Sequence, residues 1–214
     1  MQIAAEFVLS ATRVEGLPAD GRPEIALVGR SNVGKSSLVN ALARQRVART
    51  GAAPGTTRMA NVYRLSRGTA SPFLIVDLPG YGYARGGSAA AQTFDALTRS
   101  YFGDAPDRGA KTRTPPVGVI LAVDARHPGL RSDLEAHAWL QGIGQPLTIV
   151  ATKFDKLSRA EQVRAHRALV DTFQGPVLPC SAVSGEGLDA LWTLINRLVN
   201  SNNNSRSSSR RRPR

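Results

Sequence analysis

Short apolar runs recur along the chain and alternate with longer stretches in which apolar residues follow helical spacing. The runs predict six strands: EIALVG (24–29), NVYRL (61–65), FLIVD (73–77), VGVILAVD (117–124), PLTIVAT (146–152) and PVLPCSA (176–182). Several runs are continuously apolar, which is typical of parallel strands that helices cover on both faces. A short turn separates NVYRL from FLIVD, so we expect these two to pair antiparallel at one edge of the sheet.

Helical spacing fills the stretches between these strands. It predicts helices at 35–45, 90–102, 130–142, 158–173 and 186–199. The alternation predicts an α/β fold of three layers, in which helices flank a mostly parallel six-stranded sheet.

Three segments lie outside this alternation. Residues 1–22 are interpreted as an N-terminal extension of a single domain that spans 23–199. Residues 103–116 form a polar loop whose length is typical of functional or mobile segments. Residues 200–214, NSNNNSRSSSRRRPR, have no apolar side chain to bury, so this arginine-rich tail is predicted to be disordered.

The chain is strongly basic, with a formal net charge of +12 at pH 7. The tail supplies Arg206, Arg210, Arg211, Arg212 and Arg214, and the rest of the chain remains positive without them. Such a surplus attracts polyanions, either nucleic acid or an anionic membrane surface.

The number of cysteines and the length of the apolar runs indicate in which cellular compartment the protein is expected. The single cysteine, Cys180, excludes an internal disulfide and agrees with a reducing cytosol. No apolar run approaches the roughly 20 residues of a membrane span. We therefore expect a cytoplasmic protein without a membrane partner.

The stretch GRSNVGKSS (29–37) follows a predicted strand and opens a predicted helix, the context in which G-x-x-x-x-G-K-[ST] predicts a phosphate-binding loop. Gly29 and Gly34 let successive backbone N–H groups face phosphate oxygens. Lys35 adds a charge for the β- and γ-phosphates, and Ser36 offers a hydroxyl to Mg²⁺. The other residues of this loop predicted to contact nucleotide are Arg30, Ser31, Asn32, Val33 and Ser37.

The stretch TKFD (152–155) points to guanine. Asp155 can accept two hydrogen bonds from guanine N1–H and its amine, whereas adenine offers no such pair of donors. Taken alone, TKFD would be interpreted as a solvated lysine–aspartate pair, but it follows a phosphate loop in the expected order. A small residue in CSA (180–182) would let a backbone N–H reach guanine O6. The predicted base contacts are Thr152, Lys153, Phe154, Asp155, Cys180, Ser181 and Ala182.

Two further loops have the composition of segments that sense a terminal phosphate. Asp77 and Gly80 have D-x-x-G spacing, and GAAPGTTRMA (51–60) carries a threonine that could coordinate Mg²⁺. The predicted contacts in the two loops are Gly55, Thr56, Thr57, Arg58, Met59, Asp77, Leu78, Pro79 and Gly80.

These residues resemble the EngB (YihA/YsxC) family of bacterial GTPases, which is related to Era and MnmE. The resemblance rests on AEFVLSA, GRSNVGKSSLVNAL, PGTTR, DLPGYGYA, DARHP and TKFDKL, and covers nearly all of residues 4–199. DLPGYGYA is the most specific of these motifs. The resemblance implies a Ras-like P-loop G domain that binds GTP and GDP with Mg²⁺, takes part in large ribosomal subunit assembly and is linked to cell division and septation.

The resemblance also implies roles for individual residues. Ser36 and Thr57 would be Mg²⁺ ligands, Thr57 being chosen over Thr56 on this ground. Asp77 would act through a metal-bound water, and the Gly80 amide would meet the γ-phosphate. We expect a monomer whose partners are GTP, GDP and the large ribosomal subunit or its RNA.

Tyr81 stands where Ras-like proteins have a glutamine that orients water, so intrinsic hydrolysis is expected to be no faster than Ras-like basal rates, on the order of 10⁻⁴ s⁻¹. No catalytic residue is assigned. A partner or a K⁺ ion could supply activation, since Asn32 matches the asparagine that coordinates K⁺ in MnmE, and both options stay open. Tyr81, Tyr83 and Arg85 either contact an RNA-rich partner or pack on the domain's own helices.

Three candidate functions are compared for this chain. The favoured one is a GTPase switch in ribosome assembly. A P-loop kinase would need a lid and an acceptor site, and it would have no use for TKFD. A basic RNA-binding protein that holds guanine nucleotide only as a structural ligand is the alternative, and stimulation of turnover by a ribosomal particle would distinguish it.

Overall fold

A seven-stranded sheet forms the centre of the molecule. The structure, a computed structural model, describes residues 2–50, 59–81, 96–103 and 114–209, without the side chains of 202–209. The strands are Ile3–Ala11 (β1), Glu24–Gly29 (β2), Ala60–Arg67 (β3), Phe73–Asp77 (β4), Gly118–Asp124 (β5), Leu147–Thr152 (β6) and Val177–Pro179 (β7). Their order across the sheet is β1-β3-β4-β2-β5-β6-β7. Strands β4, β2, β5, β6 and β7 are parallel, and β3 is antiparallel to both of its neighbours.

The α/β fold with its mostly parallel sheet is confirmed, but the sheet has seven strands and not six. The additional strand is β1, which lies in the segment interpreted as an N-terminal extension. It pairs with β3 from Ile3 opposite Arg67 to Ala11 opposite Ala60, with one irregularity between Phe7 and Leu9. The predicted antiparallel pair of β3 and β4 is present, but β1 takes the edge position beside it.

Helices cover both faces of the sheet. They are Lys35–Ala43 (α1), residues 96–102 (α2), Arg131–Gly142 (α3), Arg159–Phe173 (α4) and Leu188–Ser209 (α5). The predicted helix at 90–102 is described only from residue 96 onward. Short 3₁₀ turns lie at Val14–Gly16 and Phe154–Lys156. Within the described ranges, no helix combines the length and the apolar character that crossing a bilayer requires.

Helix α5 is longer than predicted. It continues to Ser209, so residues 200–209 are helical where a disordered tail was predicted, and residues 210–214 lie outside the described part. Leu191, Ile195 and Val199 are buried along one face of the helix and anchor its first turns. Once a helix is anchored, each added residue contributes one hydrogen bond without a new nucleation cost, so polar asparagine and serine residues can extend it.

Two cores lie on opposite sides of the sheet. Helices α1 and α5 cover the face that includes Ile25 and Ile75, while α2, α3 and α4 cover the face that includes Val28 and Val76. Successive residues of a strand point to opposite faces, so a strand buried on both sides is apolar at nearly every position. This arrangement confirms the three layers and places the carboxyl ends of the parallel strands together at one edge of the sheet.

Candidate nucleotide-binding site

The carboxyl end of β2 continues into the phosphate loop predicted at 29–37. Asn32 and Gly34 adopt positive φ angles of 60° and 113°, which curl the chain before helix α1 begins at Lys35. A Cβ atom at Gly29 would lie 2.7 Å from the Ala122 carbonyl oxygen, so β2 and β5 approach too closely for any side chain there. Gly34 caps α1 without a side-chain bond. The first amides of the helix therefore remain directed into the loop.

Lys35 lies inside this loop and is only 8% exposed. Its Nζ donates a hydrogen bond of 3.0 Å to the Gly29 carbonyl and lies 3.4 Å from that of Arg30. Burial lowers the pKa of Lys35, and the nearby Asp77 carboxylate opposes that effect. An arriving phosphate would offer this ammonium group a second counter-charge in a poorly hydrated place.

Asp77 ends β4 beside Ser36 and is 4% exposed. Among the described residues, nothing donates a hydrogen bond to its Oδ1 atom. Burial raises the pKa of Asp77 to about 6, although Lys35 and a hydrogen bond from Ser36 act to lower it. A buried carboxylate oxygen that lacks a donor, next to a hydroxyl, has the hard-oxygen chemistry that Mg²⁺ prefers, directly or through water. These two residues therefore fit the predicted Mg²⁺ ion.

The end of β6 is fastened to the phosphate loop. The Thr152 hydroxyl lies 2.6 Å from the Val33 carbonyl and 3.0 Å from that of Val123. Lys153, with a φ angle of 58°, extends its Nζ to the Asn32 carbonyl at 2.6 Å. The structure thus brings two of the TKFD residues into direct contact with the predicted phosphate loop.

Asp155 faces the loop that follows β7. Ser181 is fully buried, and its hydroxyl donates a 2.7 Å hydrogen bond to Asp155 Oδ1. The same hydroxyl oxygen accepts hydrogen bonds from the amides of Val183 and Ser184, at 3.1 and 2.9 Å. Ser181 therefore fixes both the carboxylate and the turn around it, and a carboxylate held in this way could accept hydrogen bonds from two donors of a planar base.

Cys180 and Ala182 flank Ser181. The Cys180 side chain is buried, and burial raises the pKa of its thiol to about 12. Its amide donates to the Ala151 carbonyl and its carbonyl accepts from the Phe154 amide, which joins this loop to β6 and TKFD. Ala182 is half-buried.

Asp124, at the end of β5, is a site residue for which the sequence analysis assigned no role. It is 2% exposed and accepts hydrogen bonds from Lys153 Nζ at 3.0 Å and from Arg126 Nε and Nη2 at 2.9 and 2.8 Å. Burial acts to raise the pKa of Asp124, but the hydrogen bonds from Arg126 and Lys153 hold it well below its usual range. The sequence could have revealed Asp124, because this carboxylate ends a continuously apolar strand just as Asp77 does, and both strand ends lie at the same edge of the sheet.

Gly80 and Tyr81 lie against the phosphate loop. The Ser31 amide donates to the Tyr81 carbonyl at 3.0 Å, and the Ser31 hydroxyl donates to the Gly80 carbonyl at 3.2 Å. A Cβ atom at Gly80 would lie 2.6 Å from the Ser31 nitrogen, so glycine is required for this contact. The Tyr81 ring packs on the core under α3, which favours intramolecular packing over partner contact for this residue. Tyr83 and Arg85 lie outside the described residues.

The remaining predicted site residues fall into three groups. Gly55, Thr56, Thr57 and Arg58 lie outside the described residues. The side chains of Val33, Leu78, Pro79 and Phe154 are buried, so only their backbone could face a nucleotide. The side chains of Met59, Asn32 and Ser37 are exposed.

Comparison with known proteins identifies the class. A family model described as "50S ribosome-binding GTPase" matches residues 24–153, and with the fold and the site it makes this chain a P-loop GTPase. The chain is 41% identical over 194 residues to a probable GTP-binding protein EngB of Chlorobaculum tepidum, covering 89% of this chain and 95% of the relative. It is 44% identical over 207 residues to the protein of the same name from Anaeromyxobacter sp. strain K, covering 92% of each. The chain belongs to the EngB family of GTP-binding proteins, as its motifs predicted.

Solved structures share the fold. A crystal structure of a probable GTP-binding protein EngB superposes with a TM-score of 0.61 at 23% identity, covering 83% of this chain and 99% of that one. Era, solved with MgGDPNP and a piece of 16S ribosomal RNA, gives a TM-score of 0.68 at 22% identity, covering 82% of this chain and 56% of that one. At these identities the likeness concerns the fold alone.

Proposed function

We propose that this GTPase is a slow switch in the assembly of the large ribosomal subunit, acting in the cytoplasm as a monomer and needed for normal division and septation. The observation that carries the switch is the contact of Ser31 with Gly80 and Tyr81. A terminal phosphate would compete for the same Ser31 donors, so GTP and GDP would favour different positions of the segment after Asp77. The family model's description and the +12 charge support a ribosomal, RNA-rich partner.

In this proposal, different residues bind the phosphates and the guanine base of the nucleotide. Lys35 and the loop amides would hold the phosphates, while Asp155, with Lys153 and the amides of the 180–182 loop, would hold guanine. Ser36, Thr57 and Asp77 would hold Mg²⁺, the last through water, and that ion supplies positive charge at the β- and γ-phosphates.

In this proposal, GTP hydrolysis requires activation by an ion or a partner. The Tyr81 hydroxyl donates its hydrogen bond to Asp133 on α3. It therefore cannot orient the attacking water as the glutamine of Ras-like proteins does. Activation would come from a K⁺ ion held at Asn32 or from the ribosomal particle.

The test is co-sedimentation of the full chain with large ribosomal subunits at near-physiological salt. It is run with a non-hydrolysable GTP analogue, with GDP and without nucleotide, for the wild type and for a chain whose five tail arginines are replaced by glutamine. Binding that requires the analogue and survives the replacement supports the proposal. Binding that ignores nucleotide and disappears with the arginines supports the alternative, a basic RNA-binding protein for which guanine nucleotide is a structural ligand.

A further inference from the structure

A buried carboxylate joins three elements next to the phosphate loop. Asp133 lies in the first turn of α3 and is 1% exposed. Its Oδ1 atom accepts a 3.0 Å hydrogen bond from the Tyr81 hydroxyl and lies 3.4 Å from Arg30 Nε. Arg30 belongs to the phosphate loop and Tyr81 directly follows DLPG, so a single oxygen atom connects both to α3.

The two contacts differ in kind. Arg30 Nε has no hydrogen bond within the described residues, so its contact with Asp133 is an electrostatic pairing. The Tyr81 hydroxyl is the directional donor. If Tyr81 moved away, Asp133 Oδ1 would lose this hydrogen bond while staying buried, which is far more costly than leaving a surface bond unmade. Asp133 therefore favours the position in which Tyr81 packs on α3.

The backbone transmits that preference to the phosphate loop. Arg30 and Tyr81 form a parallel bridge, and the Ser31 amide donates to the Tyr81 carbonyl. While Tyr81 packs on α3, the Ser31 amide keeps its hydrogen bond to the Tyr81 carbonyl, and Gly80 stays in close contact with Ser31. A γ-phosphate that needs the Gly80 amide would have to move this segment.

We propose that Asp133 is a positioning residue that latches Tyr81 to helix α3 and so biases the protein towards its GDP-preferring form. This inference rests on the proposed switch and deepens it. The latch consists of Arg30, Tyr81 and Asp133. Breaking the latch adds to the free energy needed to reach the GTP-bound conformation. A partner that binds Tyr81 would lower that free energy.

The test compares two tyrosines whose hydroxyls each donate a 3.0 Å hydrogen bond to a carboxylate. Tyr81→Phe removes the hydroxyl that contacts Asp133, and Tyr101→Phe removes the hydroxyl that donates to Glu24 Oε2, also at 3.0 Å, on the same side of the sheet. Dissociation constants of the full-length variants are measured for GDP and for a non-hydrolysable GTP analogue. The readout is the ratio of the two constants, because a general loss of folding or affinity changes both nucleotides alike.

Tyr81→Phe is expected to shift the ratio roughly tenfold towards the GTP analogue, the size of one hydrogen bond to a charged group. Tyr101→Phe is expected to leave it unchanged. Asp133→Asn keeps an oxygen acceptor for Tyr81 and should shift the ratio less, and adding Tyr81→Phe to it should give a non-additive effect.

An unchanged ratio in Tyr81→Phe, with a wild type that distinguishes the two nucleotides, overturns the latch while the switch stands. A wild type that binds both nucleotides equally overturns the switch, and the latch with it. A shift of the same size in Tyr101→Phe also overturns the latch, because the effect would then belong to core packing.

Discussion

Ser181 donates a 2.7 Å hydrogen bond to Asp155 and thereby joins the loop after β7 to the 3₁₀ turn that follows β6. The two residues lie far apart in the sequence, and β6 and β7 bring them together as neighbouring parallel strands. The carboxylate is thus held by a neutral donor, and Oδ2, 3.7 Å from Lys156 Nζ, has no closer cation among the described residues.

Ser181→Ala is expected to weaken binding of GTP and GDP equally, by roughly tenfold, because Asp155 and two turn amides lose their shared hydroxyl. Isothermal titration calorimetry measures both affinities. Ser184→Ala is the matched control, since within the described ranges its hydroxyl makes a single hydrogen bond, a 3.4 Å contact from the Glu186 amide. Equal losses in the two variants would contradict a special role for Ser181.

Asp155→Asn is expected to reverse the choice of base. An amide side chain can donate to the C2 oxygen of xanthine but offers guanine one acceptor too few, so GTP affinity should fall at least about a hundredfold. Binding of the xanthine nucleotide should rise in the same variant. Competition between the two nucleotides for a fluorescent analogue measures the change, and loss of both would indicate damage to the fold.

Asp124→Asn is expected to lower the free energy of unfolding by about 2 kcal/mol at pH 7, because a buried carboxylate that pairs Lys153 and Arg126 loses its charge. The pKa of Asp124 lies below its unfolded value, so its contribution is present above the unfolded pKa and is lost as pH falls through the folded one. The difference between wild type and variant should therefore begin to narrow below about pH 5 and continue to narrow below about pH 3, until the folded pKa is passed. Urea unfolding at several pH values measures it, and a constant difference would contradict the assignment.

Gly187→Ala is expected to destabilise the protein by about 3 kcal/mol or more. An added Cβ would lie 2.0 Å from the Pro179 carbonyl oxygen, which belongs to β7 and cannot move aside alone. Gly185→Ala is the control, because its φ angle of 83° is similar but nothing lies within 4 Å, leaving only the cost of the backbone conformation. Thermal unfolding should rank the two variants in that order, with Gly185→Ala costing about 1 kcal/mol.

The sequence predicted the parallel strands well, because a strand buried on both faces leaves a continuous apolar run. Glu24–Gly29 and Phe73–Asp77 were predicted with the bounds that the structure has. Strand β1 was missed because nearly all of its residues are exposed or half-buried, Phe7 to 50%, and its partner β3 is remote in the chain.

Motifs likewise indicated loops that the fold brings into contact at one edge of the sheet, and the residues that hold those loops were harder to find. Asp133 and Asp124 belong to no nucleotide motif, and their importance follows from which side chains the sheet edge brings to them. Such relations depend on three-dimensional distances, and local patterns do not encode them.

The pairing of Ile3 with Arg67 has a consequence for biosynthesis. Synthesis runs from the amino end, so β1 is made before the other six described strands, yet its only neighbour among them is β3. Until Arg67 has left the exit tunnel, Phe7 and Leu9 have no sheet to join. The nascent chain must carry this strand unpaired while β2 and α1 are being synthesised.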